Sequence, residues 1–183
     1  MQKLSRDFYE NKTIEVAKAL LGTYLVHIKE GVEYIGKIVE VEAYLGPHDL
    51  ASHSSRGLTA RTRVMFGPPG FAYVYLIYGM YHCLNVVTEK EGHAAAVLIR
   101  AIEPIQHIAG KTQGPGLLCQ AMHITRSHNG ADLLSEHLYI AREPEASQYT
   151  LVKRPRIGVD YAQHWAKKLL RFYIKDNLFI SRK

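Results

Sequence analysis

A glutamate and a tyrosine two residues apart, Glu42 and Tyr44, close the segment YIGKIVEVEAY (34–44), whose β-branched and aromatic content is that of a strand. Alternation puts Val39, Val41 and Ala43 on one face and Glu40, Glu42 and Tyr44 on the other. The apolar set belongs in a core. That leaves a carboxylate beside an aromatic ring at the mouth of the following loop, where the one can handle a proton and the other can stack on a planar ligand. The same pair is also what a solvated strand face contains. Arg100 is a second candidate, because it is the only charge in the apolar run AAAVLIRAI (94–102), which reads as a buried strand. It requires an anionic or hydrogen-bonding partner, either in a site or in a structural ion pair.

A third feature is YVYLIYGMYHCLN (73–85), with tyrosines at 73, 75, 78 and 81 around a Tyr-Gly-Met step. Residues 72–77 and 80–87 are predicted to pair as a hairpin turning near Tyr78–Gly79. Gly79 would supply the positive φ of a tight turn, and Ile77, Tyr78 and Met80 would crowd the tip. Hairpin tips are normally polar. Two readings remain open from these residues: a hairpin packed into the core, or an exposed apolar wedge of the kind that enters between base steps. A wedge, a basic surface, a stacking tyrosine and an adjacent carboxylate are together the parts needed to extrude a base and act on it.

The elements that must position these groups are legible in outline. Thr13 is placed to cap a helix whose Val16, Ala17, Leu20 and Leu21 share one face, and Gly22 is placed to end it. Residues 23–28 and 34–44 should be antiparallel neighbours, with Gly31 at the turn. QGPGLLCQAM (113–122) begins with turn chemistry and continues as a short helix. The connection from Leu45 to Pro69 is long for a compact domain, and connections of that length are often functional. No repeat or low-complexity linker divides the chain, so residues 1–183 are expected to form a single mixed α/β domain.

Composition narrows the partners. A chain of 183 residues with 47% hydrophobic content can bury one sizeable core. No apolar run approaches bilayer length and the N-terminus lacks a signal-peptide pattern, so a cytoplasmic location without membrane partners is expected, nucleoid-associated in a bacterium. Cys83 and Cys119 form neither a disulfide framework nor a CxxC pair, and the ten histidines include no HExxH and no Cys/His set with zinc spacing. No metal or other cofactor is expected. The net charge of +6 is concentrated late: residues 151–183 carry nine basic and two acidic side chains, among them Lys153, Arg154, Arg156, Lys167, Lys168 and Arg171. Such a surplus attracts a polyanion, or is simply a solvated tail.

The segments EAYLGPHDLASHS (42–54), RTRVMFGPPGFAYVYLIYGMYHCLN (61–85), VLIRAIEP (97–104), GPGLLCQAM (114–122) and RIGV (156–159) closely resemble the alkyladenine, or 3-methyladenine, DNA glycosylase family. The resemblance runs over nearly the whole chain, with long motifs in the same order. It implies a curved, mainly antiparallel sheet with flanking helices, a hairpin that enters the DNA minor groove, and a role in base excision repair on double-stranded DNA containing damaged purines.

Matched position by position, the resemblance makes Glu42 the general base for the attacking water, with Arg100 and the backbone at Ile157 helping to hold that water. Tyr44, His53 and Tyr75 match the pocket around the extruded base, and Asn85 matches the residue that crowds the purine 2-position. Tyr78 matches the intercalating wedge, flanked by Met80 and Tyr81, while Arg61 and Arg63 are candidate phosphate contacts. Where the family often has a DNA-contacting lysine after Gly114–Pro115, this chain has Gly116–Leu117. No amine is expected beside Glu42, since Lys37 lies on the opposite strand face, which predicts a monofunctional enzyme. A monomer is expected, because no long apolar stripe calls for a dimer. The alternative reading is a non-catalytic module that binds damaged DNA; Glu42 separates the two, because a pure binder has no use for a carboxylate facing the sugar.

Overall fold

The alternating segment that ends in Glu42 and Tyr44 is the spine of the molecule. In the computed structural model, which describes residues 1–144 and 148–183, nine strands form one sheet: β1 (Gln2–Lys3), β2 (Tyr24–Lys29), β3 (Val32–Tyr44), β4 (Ala72–Ile77), β5 (Tyr81–Thr88), β6 (Ala95–Gln106), β7 (Leu138–Arg142), β8 (Leu151–Arg154) and β9 (Arg171–Ile174). The order is β1-β7-β2-β3-β6-β5-β4, with β9 pairing β3 and β8 pairing β9. Every strand pairing among the described residues is antiparallel. Three short α-helices, α1 (Arg6–Glu10), α2 (Thr13–Leu20) and α3 (Pro115–Ala121), complete a mixed α/β fold with four 3-10 segments. None of the described helices is long and apolar enough to cross a membrane.

β3 can serve three neighbours because it is long. Its first half pairs with β2, its second half with β9, and β6 follows nearly its whole length on the other side. Val39, Val41 and Ala43 are buried with Leu84, Val86, Ile99 and Phe172 in the main core. α2 packs on β3 and β6, and α3 on β5 and β6.

One expectation changes. Thr13 is the first residue of α2 and Lys12 occupies the N-cap position; the Thr13 hydroxyl instead donates to Glu89 Oε1 at 2.6 Å, so it ties the helix to the end of β5. Of the two readings left open for the hairpin, the structure shows its strands packed into the core through Val74, Leu84 and Val86 and its tip exposed. Tyr78 is 84% exposed and Met80 67%, which leaves the apolar tip in solvent. Its turn is closed by Met80 N–H donating to the Ile77 carbonyl at 3.2 Å, and both Tyr78 (φ 53°) and Gly79 (φ 68°) take positive φ. Only glycine adopts that conformation without cost, so the tyrosine at this position is held against its backbone preference.

Candidate active site

The ladder between β3 and β6 shifts register at its start, between Ile35 and Gly36, and is irregular again beside the carboxylates. Glu40 pairs with Ala101, and neither Val39 nor Arg100 has a Cα partner across the strands, yet the register is the same on both sides of this step. Local irregularities of this kind re-aim side chains. Arg100 is aimed at two carboxylates, with Nη1 3.4 Å from Glu42 Oε2 and Nε 3.7 Å from Glu40 Oε1. Glu40 also accepts from Arg171 Nη1 at 2.7 Å and from the Ser181 N–H at 2.6 Å. The four side chains form an alternating buried chain of charge, Arg171, Glu40, Arg100, Glu42. Burial disfavours the Arg100 cation, but Glu42 and Glu40 outweigh that and raise its pKa above the usual arginine value.

Glu42 is completely buried. Its Oε1 accepts the backbone N–H of Ile157 at 2.7 Å, and its Oε2 accepts the Tyr44 hydroxyl at 2.8 Å. Burial, with the carboxylate of Glu42 beside it, pushes the Tyr44 phenol well above its ordinary value and keeps it a donor. On the far side of the Tyr44 ring, the Arg156 guanidinium stacks with its Cζ 4.6 Å from the centroid. Arg156 is held in turn by Asp49, through Nη1 to Oδ2 at 2.5 Å and Nη2 to Oδ1 at 2.8 Å, and donates to the Ala43 carbonyl at 2.9 Å. Asp49 also accepts the backbone N–H groups of Leu45 and Ala51. One fully buried, bidentate ion pair thus fixes both the loop after β3 and the segment that brings Ile157 to Glu42.

Tyr44, Arg100 and Ile157 all line a cavity of about 650 Å³. Glu42 sits directly behind them. The opposite wall comes from the hairpin and the long loop: Tyr73, Tyr75 and Asn85 from β4 and β5, with His53 and Arg61 from the loop. His53 Nδ1 lies 2.9 Å from the Tyr73 hydroxyl, and its ring meets Tyr75 edge-on at 4.6 Å between centroids. Burial, with Arg61 and Arg56 nearby, lowers His53 to about 4, so the imidazole is neutral near pH 7. Nδ1 is then either donor or acceptor to the phenol. Arg61 lies over the other aromatic partner, with Cζ 5.2 Å from the Tyr75 centroid. Asn85 is buried and donates to the Tyr73 carbonyl at 3.1 Å, which fixes its amide in the cavity wall. The hairpin tip overhangs this space, and Tyr78 and Tyr81 line its rim. A planar, polarisable ligand inserted here would be held by ring faces, with a carboxylate one layer away.

The methylpurine-DNA glycosylase family model matches residues 7–178. A relative from Legionella pneumophila strain Corby is 64% identical over 182 residues, covering all of both chains, and bears the name "Putative 3-methyladenine DNA glycosylase". Relatives of the same name from Alkaliphilus oremlandii (50% identical, 99% of this chain and all of theirs) and Myxococcus xanthus (47%, all of this chain and 95% of theirs) are similar over their lengths. The chain belongs to the methylpurine-DNA glycosylase family. Membership makes it a DNA-repair enzyme for alkylated bases.

Of the residues singled out in the glycosylase sequence, Glu42, Arg100, Ile157, Tyr44, His53, Tyr75, Asn85, Tyr78, Tyr81 and Arg61 converge at this cavity or directly behind its wall. Met80 stands on the hairpin tip outside it. Arg63 is exposed at the start of a 3-10 turn and does not line the cavity. Leu117, which stands near the family's lysine position, lines the cavity, and neighbouring Gly116 abuts Tyr81 so closely that a Cβ would lie 2.8 Å from its ring. The expected basic surface needs correction: Arg156 and Arg171 are buried in ion pairs with Asp49 and Glu40. Lys153, Arg154, Lys167 and Lys168 are the members of that set left exposed. Sequence reasoning did not assign site roles to Tyr73, Asp49, Arg156 or Glu40. For Tyr73, Asp49 and Arg156 the signal was present, since all three fall within motifs that carry the resemblance.

Proposed function

We propose that this glycosylase extrudes a damaged purine nucleotide from duplex DNA into the aromatic cavity and hydrolyses its N-glycosidic bond, initiating base excision repair. The observation that carries the reading is the Glu42 carboxylate, held by Ile157 N–H, the Tyr44 hydroxyl and Arg100 immediately behind the cavity wall.

In this reading Tyr78 enters the stack and fills the gap left by the nucleotide, while Tyr44, His53 and Tyr75 enclose the base. Electron-rich phenol faces suit an electron-poor alkylated purine, and each stacked base gains roughly 1–3 kcal/mol. Asn85, fixed by the Tyr73 carbonyl, presents its edge to the purine and disfavours a normal guanine. A water held by Arg100 gives its proton to Glu42 as its oxygen bonds to C1′. The C1′–N bond breaks with its electron pair passing to the purine, and the carboxylate opposes the positive charge that develops on the sugar. Because the Ile157 N–H is already bonded to Glu42, Ile157 orients the base rather than the water. No lysine lines the cavity among the described residues, so no imine to the sugar forms and the product is an abasic site.

The test is single-turnover release of base from labelled duplexes carrying hypoxanthine, ethenoadenine or a methylated purine. The wild type is expected to release at least one of them, and Glu42→Gln to release it at least about 100-fold more slowly while binding the lesion duplex within a few-fold. Tight lesion binding with no release by the wild type on any of these would replace the reading with a binding module.

A further inference from the structure

The hairpin has two faces, and the cavity described above occupies only one. Across β4 and β5, Tyr75 pairs with Cys83 and Ile77 with Tyr81, all four lining that cavity, whereas His82 pairs with Leu76 and points the other way. On the His82 side lies a second cavity of about 640 Å³, bounded by Lys29, Met80, His82, Gln120, His123 and His128 among others. Tyr81 and Gly116 form the partition, since both line both cavities.

The chemistry of the two spaces differs. The first is walled by tyrosines and backed by a carboxylate. No aspartate or glutamate lines the second, which collects four histidines, a lysine and the hydroxyls of Thr125 and Ser127. At its base the proton positions are fixed: His27 Nδ1 donates to the Met122 carbonyl at 2.7 Å, so in its neutral form His27 Nε2 accepts from His128 Nε2 at 3.2 Å. Burial lowers the His27 pKa and supports that neutral form. His128 Nδ1 then accepts the Thr125 N–H at 3.1 Å. Around this hydrogen-bonded floor, Lys29 and His123 are exposed and available to an anion.

We infer that this second cavity seats a phosphodiester of the strand opposite the lesion. The inference rests on the glycosylase reading, in which the lesion nucleotide leaves its strand on the tyrosine face of the hairpin with Tyr78 in the gap. The complementary strand then passes the other face of a hairpin two strands wide, where the carboxylate-free pocket begins at Met80 and His82. The pocket is thereby a strand-discriminating contact. It holds the duplex against the wedge and contributes nothing to a lesion presented in a single strand.

The experiment compares wild type with Lys29→Ala/His123→Asn by fluorescence anisotropy, on a lesion duplex and on the same lesion strand alone, across a salt series. Asparagine is chosen because His123 has φ 56°, which asparagine tolerates. The expected result is about a tenfold weaker duplex affinity with a shallower salt dependence, by about one to two ions, and unchanged affinity for the single strand. Equal losses on both substrates, or no loss on either, overturn the assignment. Base release by the wild type is recorded on the same duplex: release together with an unaltered duplex preference in the variant sinks only the second seat, while absence of release sinks the glycosylase reading.

Discussion

Ile157 donates its backbone N–H to Glu42 across 115 residues of chain, at 2.7 Å, and it is the shortest of the three contacts that hold the carboxylate. A main-chain donor cannot rotate away as a side chain can, so the orientation of Glu42 is set by where the Ile157 peptide lies. That placement depends on the Arg156–Asp49 pair. Asp49→Asn leaves a buried guanidinium without its counter-charge and is expected to cost about 3–5 kcal/mol of stability. Denaturant unfolding of the variant checks this, and an intact midpoint would show that the Arg156–Asp49 charge pair adds no net stability.

The wedge is expected to act on duplex DNA alone. Tyr78→Ala should weaken lesion processing in duplex much more than in a single strand, because only the duplex has a gap to fill. Equal losses on both substrates in single-turnover assays would remove Tyr78 from that role.

The same tyrosine carries a stability cost. With φ at 53° and its side chain 84% exposed, Tyr78 loses backbone energy and gains no packing in return. Tyr78→Gly is therefore expected to be more stable than Tyr78→Ala by about 1 kcal/mol, measured as a higher thermal midpoint. Both variants lack the tyrosine side chain, so the difference between them reports the backbone strain alone.

Acid should act through the cavity wall. His53 is held at about 4 by burial and by Arg61 and Arg56, below its unfolded value near 6.5. Between those values the unfolded chain binds the extra proton, so this group makes stability rise with pH across that window and fall as pH drops from 6.5 toward 4. His27, whose pKa is also lowered, adds to the trend with the same sign. The imidazole resonances of His53 are expected to stay at their neutral positions down to about pH 5, and His53→Gln should flatten part of the acid limb of the stability curve.

Gly116→Ala tests the partition between the cavities. A Cβ there would sit 2.8 Å from both Tyr81 Cβ and Cδ1; turning the ring relieves only the second contact, so the backbone of α3 or of β5 must shift. Because α3 packs on β5 there, the variant is expected to lose both thermal stability and duplex processing; an unchanged thermal midpoint would mean that the two elements separate at no cost.

The sequence revealed elements whose two faces differ. β3, the hairpin strands and α2 carry period-2 or helical patterns, and their positions were legible to within about two residues. β1, β7, β8 and β9 are short, and α1 spans only five residues, so pattern had too few positions to register there. Charge was the weaker guide. Arg156 and Arg171 look like members of a basic tail, but each is buried against a carboxylate 107 and 131 positions away, and no count of charge along the chain distinguishes a solvated arginine from one so paired. Glu42 was found by its place beside Tyr44; its complete burial was not legible, because it depends on Ile157 and Arg100 arriving from distant segments.

The chain of charge from Arg171 to Glu42 also fixes when the site can exist. Glu40 is satisfied by Arg171 and the Ser181 N–H, and Glu42 by Ile157, so the carboxylates wait for segments that leave the ribosome long after the wedge and the aromatic wall have emerged. A nascent chain would carry its exposed hairpin tip before the Glu42 carboxylate is held in place. In the proposed mechanism, competence for hydrolysis is thus the last property that synthesis confers.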